Sequence, residues 1–298
     1  MPESGRIEYD EFGLFHENAA EFGLPYPGTP DVRRVDVPVD DRRKLSALVW
    51  GRTEPDLVFL HGGAQNAHTW DTVAMALGRP VVAVDLPGHG HSDGGRQGSL
   101  AVDDNAADVA TVVRALAPSA RAVIGMSLGG LTTIALAHQA PELVRKVVLV
   151  DVTPGVNADK AKAITDFVDG PESFPNFDEI LERTVQFNPT RSVSSLRRGI
   201  LHNALQQEDG SWIWRYARFR TGETRRFTDM NALWDQLGGL AMPLMLVRGT
   251  RPGSVVDDDD EAELLRRLPQ ARVERVDAGH SVQGDAPIEL ARLVADFA

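Results

Sequence analysis

The chain has 298 residues, enough for one large α/β domain with an insertion or for two small domains. Hydrophobic content of 42% and charged content of 25% suit an ordinary soluble globular protein, and a net charge of −12, from 43 acidic against 31 basic residues, argues against nucleic acid or an anionic membrane as the main partner. The absence of cysteine excludes disulfides, a thiolate metal site and a cysteine nucleophile.

The opening MPESGRIEYDEF has no basic region followed by an apolar core, and no apolar run reaches membrane-spanning length. A cytoplasmic protein with no secretory signal and no membrane insertion is the expectation. Residues 5–24 set Ile7, Phe12, Leu14, Phe15, Ala19 and Phe22 among charges, which reads as one or two short helices lying on the main domain. Arg33–Val39 and Lys44–Gly51 have period-two patterning around a polar turn, as in a hairpin. Asp56–Leu60 is a buried strand running into His61-Gly62-Gly63-Ala64, and Thr69–Leu77 has helical spacing. Pro80–Asp85 is another buried strand, followed by the loop LPGHGHSDGG and a helix over Leu100–Leu116.

The stretch RAVIGMSLGG, Arg121–Gly130, is a short buried strand entering a glycine turn, and the Ala-rich LTTIALAHQA after it is a helix. Gly-x-Ser-x-Gly in that setting is a nucleophile elbow: Gly125 and Gly129 leave room for neighbouring backbone, and Ser127 projects at the N-terminus of a helix. The Leu128 N–H and the helix dipole face the same point. Val144–Asp151 is a further buried strand. Alternation of strands and helices implies a mostly parallel sheet covered on both faces. It breaks at Pro154, and from Gly155 to about Leu237 helix-like pieces are punctuated by Pro171, Pro175, Pro189 and Gly210 and carry Trp212, Trp214, Tyr216 and Trp234. The alternation returns with Leu244–Arg248, a helix near Asp257–Leu268, a strand over Ala271–Val276 and a helix near Ala286–Phe297. The expected organisation is a core over residues 1–154 and 239–298 with a mainly helical lid insertion over 155–238, above the carboxyl ends of the strands.

His280, in DAGHSVQGDAP after the last strand, is the preferred general base, because ligands of open α/β sheets bind at the carboxyl ends of the strands. Backbone N–H groups in His61-Gly62-Gly63-Ala64 can pair with that of Leu128 as an oxyanion hole; Gly63 is the first choice and Ala64 the other candidate. His61 is read as ordering this loop through hydrogen bonds. The acid has two possible sources. The loop Gly249–Ser254 has no carboxylate, and Asp257–Asp260 suit a solvated helix start. Asp151 ends an otherwise apolar strand and is placed to hold the His280 ring N–H. Trp212, Trp214 and Trp234 are the candidate acyl-pocket residues. His89-Gly90-His91-Ser92-Asp93 resembles part of a binuclear metal motif, but Gly94 stands where that motif needs a histidine, so a tight loop is the better reading and no metal is expected. No phosphate-binding glycine loop is present in the sequence, and no cofactor is expected.

These residues together resemble the α/β-hydrolase family: His61-Gly62-Gly63, DLPGHGHSD at 85–93, GMSLGG, VLVDVTP at 148–154 and AGHSV at 278–282. A closer resemblance is to bacterial serine esterases with a helical lid, including an actinobacterial group with HGG-x-QNAHTWD, here His61–Asp71, and W-x-W-R-Y, here Trp212–Tyr216. The resemblance implies a serine carboxylic-ester hydrolase acting through Ser127, His280 and Asp151 on a small-molecule ester. Some relatives place the acid where this chain has Asp151. Lactonase, C–C bond hydrolase, perhydrolase and acyltransferase chemistry occur on the same fold, as do catalytically silent ligand-binding proteins. The sequence leaves the natural ester and the oligomeric state open.

Overall fold

Helix α1 (Phe15–Phe22) precedes a hairpin of β1 (Val32–Pro38) and β2 (Lys44–Trp50). Next come β3 (Leu57–Leu60), α2 (Asp71–Leu77), β4 (Val81–Val84), α3 (Val102–Leu116), β5 (Ala122–Met126), α4 (Leu128–Gln139) and β6 (Val147–Val150). The following stretch holds α5 (Lys162–Val168), β7 (Ser173–Phe174), α6 (Phe177–Phe187), α7 (Val193–Asn203), β8 (Ala204–Gln206), β9 (Trp212–Trp214) and α8 (Met230–Gly238). The chain ends with β10 (Leu244–Gly249), α9 (Asp258–Arg267), β11 (Arg272–Val276), α10 (Val282–Asp285) and α11 (Pro287–Phe297). This computed structural model describes residues 6–97, 99–157, 159–217 and 226–298; residues 1–5 of the expected first segment and 218–225 of the expected insertion lie outside them.

Eight strands form one sheet in the order β1-β2-β4-β3-β5-β6-β10-β11. The first two pairings are antiparallel and all the others parallel, so the sheet is mostly parallel, as expected. Side-chain alternation sends the two sets of residues in each central strand to opposite layers. In β3, Val58 and Leu60 pack into one layer with residues of α3 and α4, and Leu57 and Phe59 into the other with residues of α2 and α11. Each fully buried aliphatic side chain contributes roughly 1.5–3 kcal/mol, so these β-branched runs form the core on both faces. Among the described residues, no helix is long and apolar enough to cross a membrane.

The stretch between β6 and β10 is mainly helical, with one feature the sequence reading did not include. Besides its helices it has a three-stranded antiparallel sheet, β7-β9-β8. Trp212-Ile213-Trp214 is its central strand. Three residues are too few to display a period, and their pairing is non-local. This small sheet has its own apolar cluster, with Phe174, Ile180, Leu201, Trp212, Trp214 and Tyr216. Polar contacts fasten it to the core: Asn66 Nδ2 donates to the His202 carbonyl at 2.9 Å, Asn203 Nδ2 donates to the Ala64 carbonyl at 2.6 Å, and Ala217 N–H donates to Gly88 O at 2.7 Å.

Candidate active site

The parallel register determines which loops meet. Met126 of β5 is opposite Val150 of β6, and Val150 is opposite Val247 of β10. The next residue in each of the first two strands, Ser127 and Asp151, therefore emerges at the same carboxyl edge. Ser127 N–H still donates to Val150 O at 3.3 Å, and Asp151 N–H to Val247 O at 2.8 Å. Both residues then leave the strand with positive φ, 50° at Ser127 and 47° at Asp151.

The glycines around Ser127 are needed for close approach. A Cβ on Gly125 would lie 2.3 Å from the Gly129 carbonyl oxygen, and one on Gly129 would lie 2.2 Å from that of Leu60. Helix α4 thus starts hard against the end of β3, and Ser127 stands at its N-terminus. Among the described residues, the Leu128 and Gly63 N–H groups have no hydrogen-bond acceptor, whereas Ala64 N–H donates to His89 Nε2 at 3.2 Å. Of the two candidates after His61, Gly63 is the one with its donor available.

The loop carrying these donors is held by neutral histidines. His61 Nε2 accepts from Leu86 N–H at 2.9 Å while Nδ1 donates to Gly62 O at 2.7 Å. Burial, with a smaller effect from nearby His89, pushes its pKa down to about 3, consistent with a neutral ring. His61 therefore orders the loop, as the sequence suggests. His89 uses Nδ1 toward Pro87 O at 3.0 Å and Nε2 toward Ala64, so both ring nitrogens serve the backbone rather than a metal motif. Asp85 anchors the same loop by accepting from Ala67 N–H at 2.7 Å, His91 N–H at 2.9 Å and Arg34 at 2.8 Å.

Asp151 is fully buried and accepts hydrogen bonds on both oxygens. Oδ1 receives Gly249 N–H at 2.9 Å and the Ser254 hydroxyl at 2.6 Å; Oδ2 receives Val255 N–H at 3.1 Å and His280 Nδ1–H at 2.9 Å. The carboxylate thus sets the His280 tautomer and leaves Nε2 as an acceptor. Ser254 and the two backbone donors carry no signal in the sequence. Gly249 ends β10, and Ser254 and Val255 lie in the segment that follows it, where the stretch Gly249–Ser254 lacks a carboxylate of its own.

Asp257–Asp260 have other work. Asp257 and Asp260 form a reciprocal capping box at the start of α9, and Lys160 pairs with both, at 2.8 and 2.7 Å. The reading of this run as solvated needs correction at Asp260, which is buried; Asp258 is exposed and pairs with Arg248.

Ser127, His280, Gly63, Ala64 and Gln65 line one cavity of about 250 Å³. Its apolar wall comes from Ile164, Phe167 and Val168 of α5 and Phe187 of α6. Trp212 and Trp234 are placed elsewhere, a correction to their candidate role. Trp212 packs edge-on to Phe177 inside the small sheet's cluster, and Trp234 packs in the main core under Arg267. Trp214 lines an adjoining cavity of about 170 Å³.

That second cavity borders a buried polar network. His68 Nδ1 meets Asp71 Oδ2 at 2.8 Å and Nε2 meets Glu11 Oε1 at 3.1 Å. Burial opposes a charged ring, but the two carboxylates outweigh it and raise the His68 pKa to about 9, making it an imidazolium. His202 stacks on it at 3.8 Å between ring centroids, accepts from the Tyr9 hydroxyl at 2.8 Å and is held neutral by burial. His68, Asp71 and His202 offer ligand atoms within 4.8 Å of one another, yet a metal ion there would have to displace the His68 proton.

Residues 55–287 match the model of the alpha/beta hydrolase fold family. The Mycobacterium tuberculosis esterase Rv0045c is 46% identical over 96% of each chain, and its solved structure aligns with a TM-score of 0.85 at 44% identity, covering 98% of this chain and 99% of that one. An sn-1-specific diacylglycerol lipase, ABHD11 of Xenopus laevis, is 26% identical over 82% of this chain and 79% of its own length. The thioesterase domain of a curacin biosynthetic pathway shares the fold at 20% identity, with a TM-score of 0.73 and coverage of 89% of this chain and 99% of that one.

Proposed function

The chain belongs to the α/β-hydrolase family, and from that premise we propose that it is a serine carboxylic-ester hydrolase working through a covalent acyl-enzyme. The observation that carries this reading is the His280–Asp151 hydrogen bond of 2.9 Å in a site whose cavity also presents Ser127. Ser127 Oγ attacks the acyl carbon and His280 Nε2 takes its proton. The imidazolium that forms is stabilised by the buried Asp151 carboxylate. The carbonyl oxygen becomes negative as the tetrahedral intermediate forms, and the Leu128 and Gly63 N–H groups stabilise it there. His280 then returns the proton to the alcohol oxygen as the ester C–O bond breaks. In the second half-reaction it takes a proton from water, whose oxygen attacks the acyl carbon, and returns it to Ser127 Oγ as the acyl–Ser127 bond breaks and the acid leaves.

The segment 155–238 acts as a lid. Ile164, Phe167, Val168 and Phe187 give the cavity an apolar wall for a small or medium acyl group. The likeness to an esterase across nearly the whole chain supports ester hydrolysis over the other reactions the fold hosts.

The test is Ser127→Ala with a chromogenic short-chain aryl ester and a fluorophosphonate label. The variant should fold like the wild type, resist labelling and lose several orders of magnitude in turnover. Near-normal turnover by the folded variant would remove the serine mechanism.

A further inference from the structure

Arg191 precedes α7 and stands at the boundary of the two cavities. It lines both the cavity that holds Ser127 and His280 and the adjoining one. Its guanidinium lies over Gly284 of α10: a Cβ built on that glycine would fall 2.7 Å from Cζ and 2.9 Å from Nη1. The missing side chain at 284 therefore makes the seat, only a few residues after His280.

The bonding of this cation is incomplete. Nη2 donates to the Ser195 hydroxyl at 2.5 Å, while Nε is shielded from solvent and has no acceptor. No carboxylate forms an ion pair with it among the described residues. Arg198, within α7, is the contrast: it is buried and paired with Glu17 and Glu21. Asp285 also borders the Ser127 cavity, but its Oδ2 accepts from Gly279 N–H at 2.8 Å. Burial lowers the Arg191 pKa, and the charges of Asp285 and Glu21 only partly offset it. A desolvated guanidinium without a carboxylate is costly unless a ligand supplies the anion. Its planar fork suits two oxygens of one carboxylate or phosphate.

We infer that Arg191 is a specificity-determining residue that binds an anionic group on the substrate, so that the preferred esters carry a carboxylate or phosphate on the arm that reaches past the Ser127 cavity. The inference rests on the hydrolase reading above. An apolar wall of α5 and α6 residues receives the intervening chain, and Arg191 lines the same cavity where it meets the adjoining one. In a protein of net charge −12, a partly buried cation that lines the nucleophile's cavity and has no ion-pair partner among the described residues is the local exception that such a substrate needs.

The experiment compares three 4-nitrophenyl esters: pentanoate, the monoester of glutarate, and 4-phosphonooxybutanoate. The readout is the ratio of kcat/KM for each anionic ester to that for the neutral one, in the wild type, Arg191→Met and Arg191→Lys. A hydrogen-bonded charge pair corresponds to a preference of roughly ten-fold or more. The wild type should show it for at least one anionic ester, mainly through KM, and weaken it at high salt. The ester that shows it identifies the carboxylate or the phosphate as the anion. Arg191→Met should erase the ratio and Arg191→Lys retain part of it. If Arg191→Met does not fold, Arg191→Gln makes the same comparison, and the wild-type ratio stands by itself. A wild type that hydrolyses pentanoate without favouring either anion overturns the inference, as does a preference that survives loss of the guanidinium. A wild type that hydrolyses none of the three esters would instead count against the hydrolase reading.

Discussion

Replacing Asp151 by asparagine keeps the volume and removes the charge, and the geometry dictates the consequence. The carboxylate accepts four hydrogen bonds, two on each oxygen. An amide has one oxygen, so its NH2 must face one of the two pairs of donors. Turned toward Val255 N–H and His280, it forces the imidazole proton onto Nε2, the nitrogen that must take the Ser127 proton. Turned toward Gly249 N–H and Ser254, it spares the tautomer but leaves the imidazolium without its compensating charge. Either way one buried backbone N–H is opposed by another donor, at a cost of about 1–3 kcal/mol in stability. The tautomer effect costs about 10⁴ in turnover in the serine-protease triad that serves as its reference case. We expect Asp151→Asn to lower kcat/KM for a short aryl ester by at least ~10²-fold and toward that limit. Folding is checked by circular dichroism and thermal melting. Ser254→Ala, which removes one donor to Oδ1, should give a smaller loss in the same direction, and Asp258→Asn should change little. A folded Asp151→Asn enzyme within ten-fold of wild type would refute the assignment of the acid, and a large loss in Asp258→Asn would point to the other aspartates.

The cavity and the buried network each give a further expected outcome. Phe167→Ala should shift the acyl-length preference measured with graded 4-nitrophenyl esters, whereas Trp234→Ala should lower stability by about 3–5 kcal/mol and leave that preference alone; the opposite pattern would restore Trp234 as a pocket residue. His68, raised from 6.5 to about 9, contributes stability that is complete below about pH 6.5 and is lost as pH rises through about 9. Urea unfolding of wild type and His68→Gln at pH 6, 8 and 10 should therefore show a stability difference that shrinks with rising pH, and a constant difference would contradict the imidazolium assignment.

The sequence shows the site more clearly than its surroundings, for physical reasons. Ser127 is legible because a strand, two sterically required glycines and a helix leave one meaning for the turn. Asp151 is legible because a charge ending an apolar strand needs a partner. The donors that hold its carboxylate, Gly249, Ser254 and Val255, are not legible, since backbone N–H groups have no sequence signature and Ser254 looks like any loop serine. The tryptophans misled because an aromatic residue in a core and one on a pocket wall have the same local pattern. Trp212 and Trp234 pack inward, while less conspicuous phenylalanines of α5 and α6 face the cavity. Arg191 gives no local signal either: its seat is made by Gly284, 93 positions away (284 − 191) on the far side of the His280 loop.

Backbone strain gives an independent view of where function is concentrated. Among the described residues, the non-glycine residues with positive φ are Ala64 at 58°, Ser127 at 50° and Asp151 at 47°. Such conformations cost on the order of 1–3 kcal/mol each and persist only where surrounding contacts impose them. All three lie at the carboxyl ends of neighbouring parallel strands, after β3, β5 and β6. Elsewhere in the described chain, tight positive-φ positions are filled by glycine, as at Gly23, Gly78 and Gly90, so strain is avoided where nothing requires a side chain. At Ser127 and Asp151 glycine would relax the backbone but delete the hydroxyl and the carboxylate. The strain is therefore matched to a need for side chains at those two turns. It is stored in the pair that the proposed chemistry uses, and His280 is joined to Asp151 by its ring N–H. Ala64 fits the same pattern in a different way: its left-handed turn directs its N–H to His89 and its carbonyl to Asn203, fixing the loop on which the free Gly63 N–H is carried.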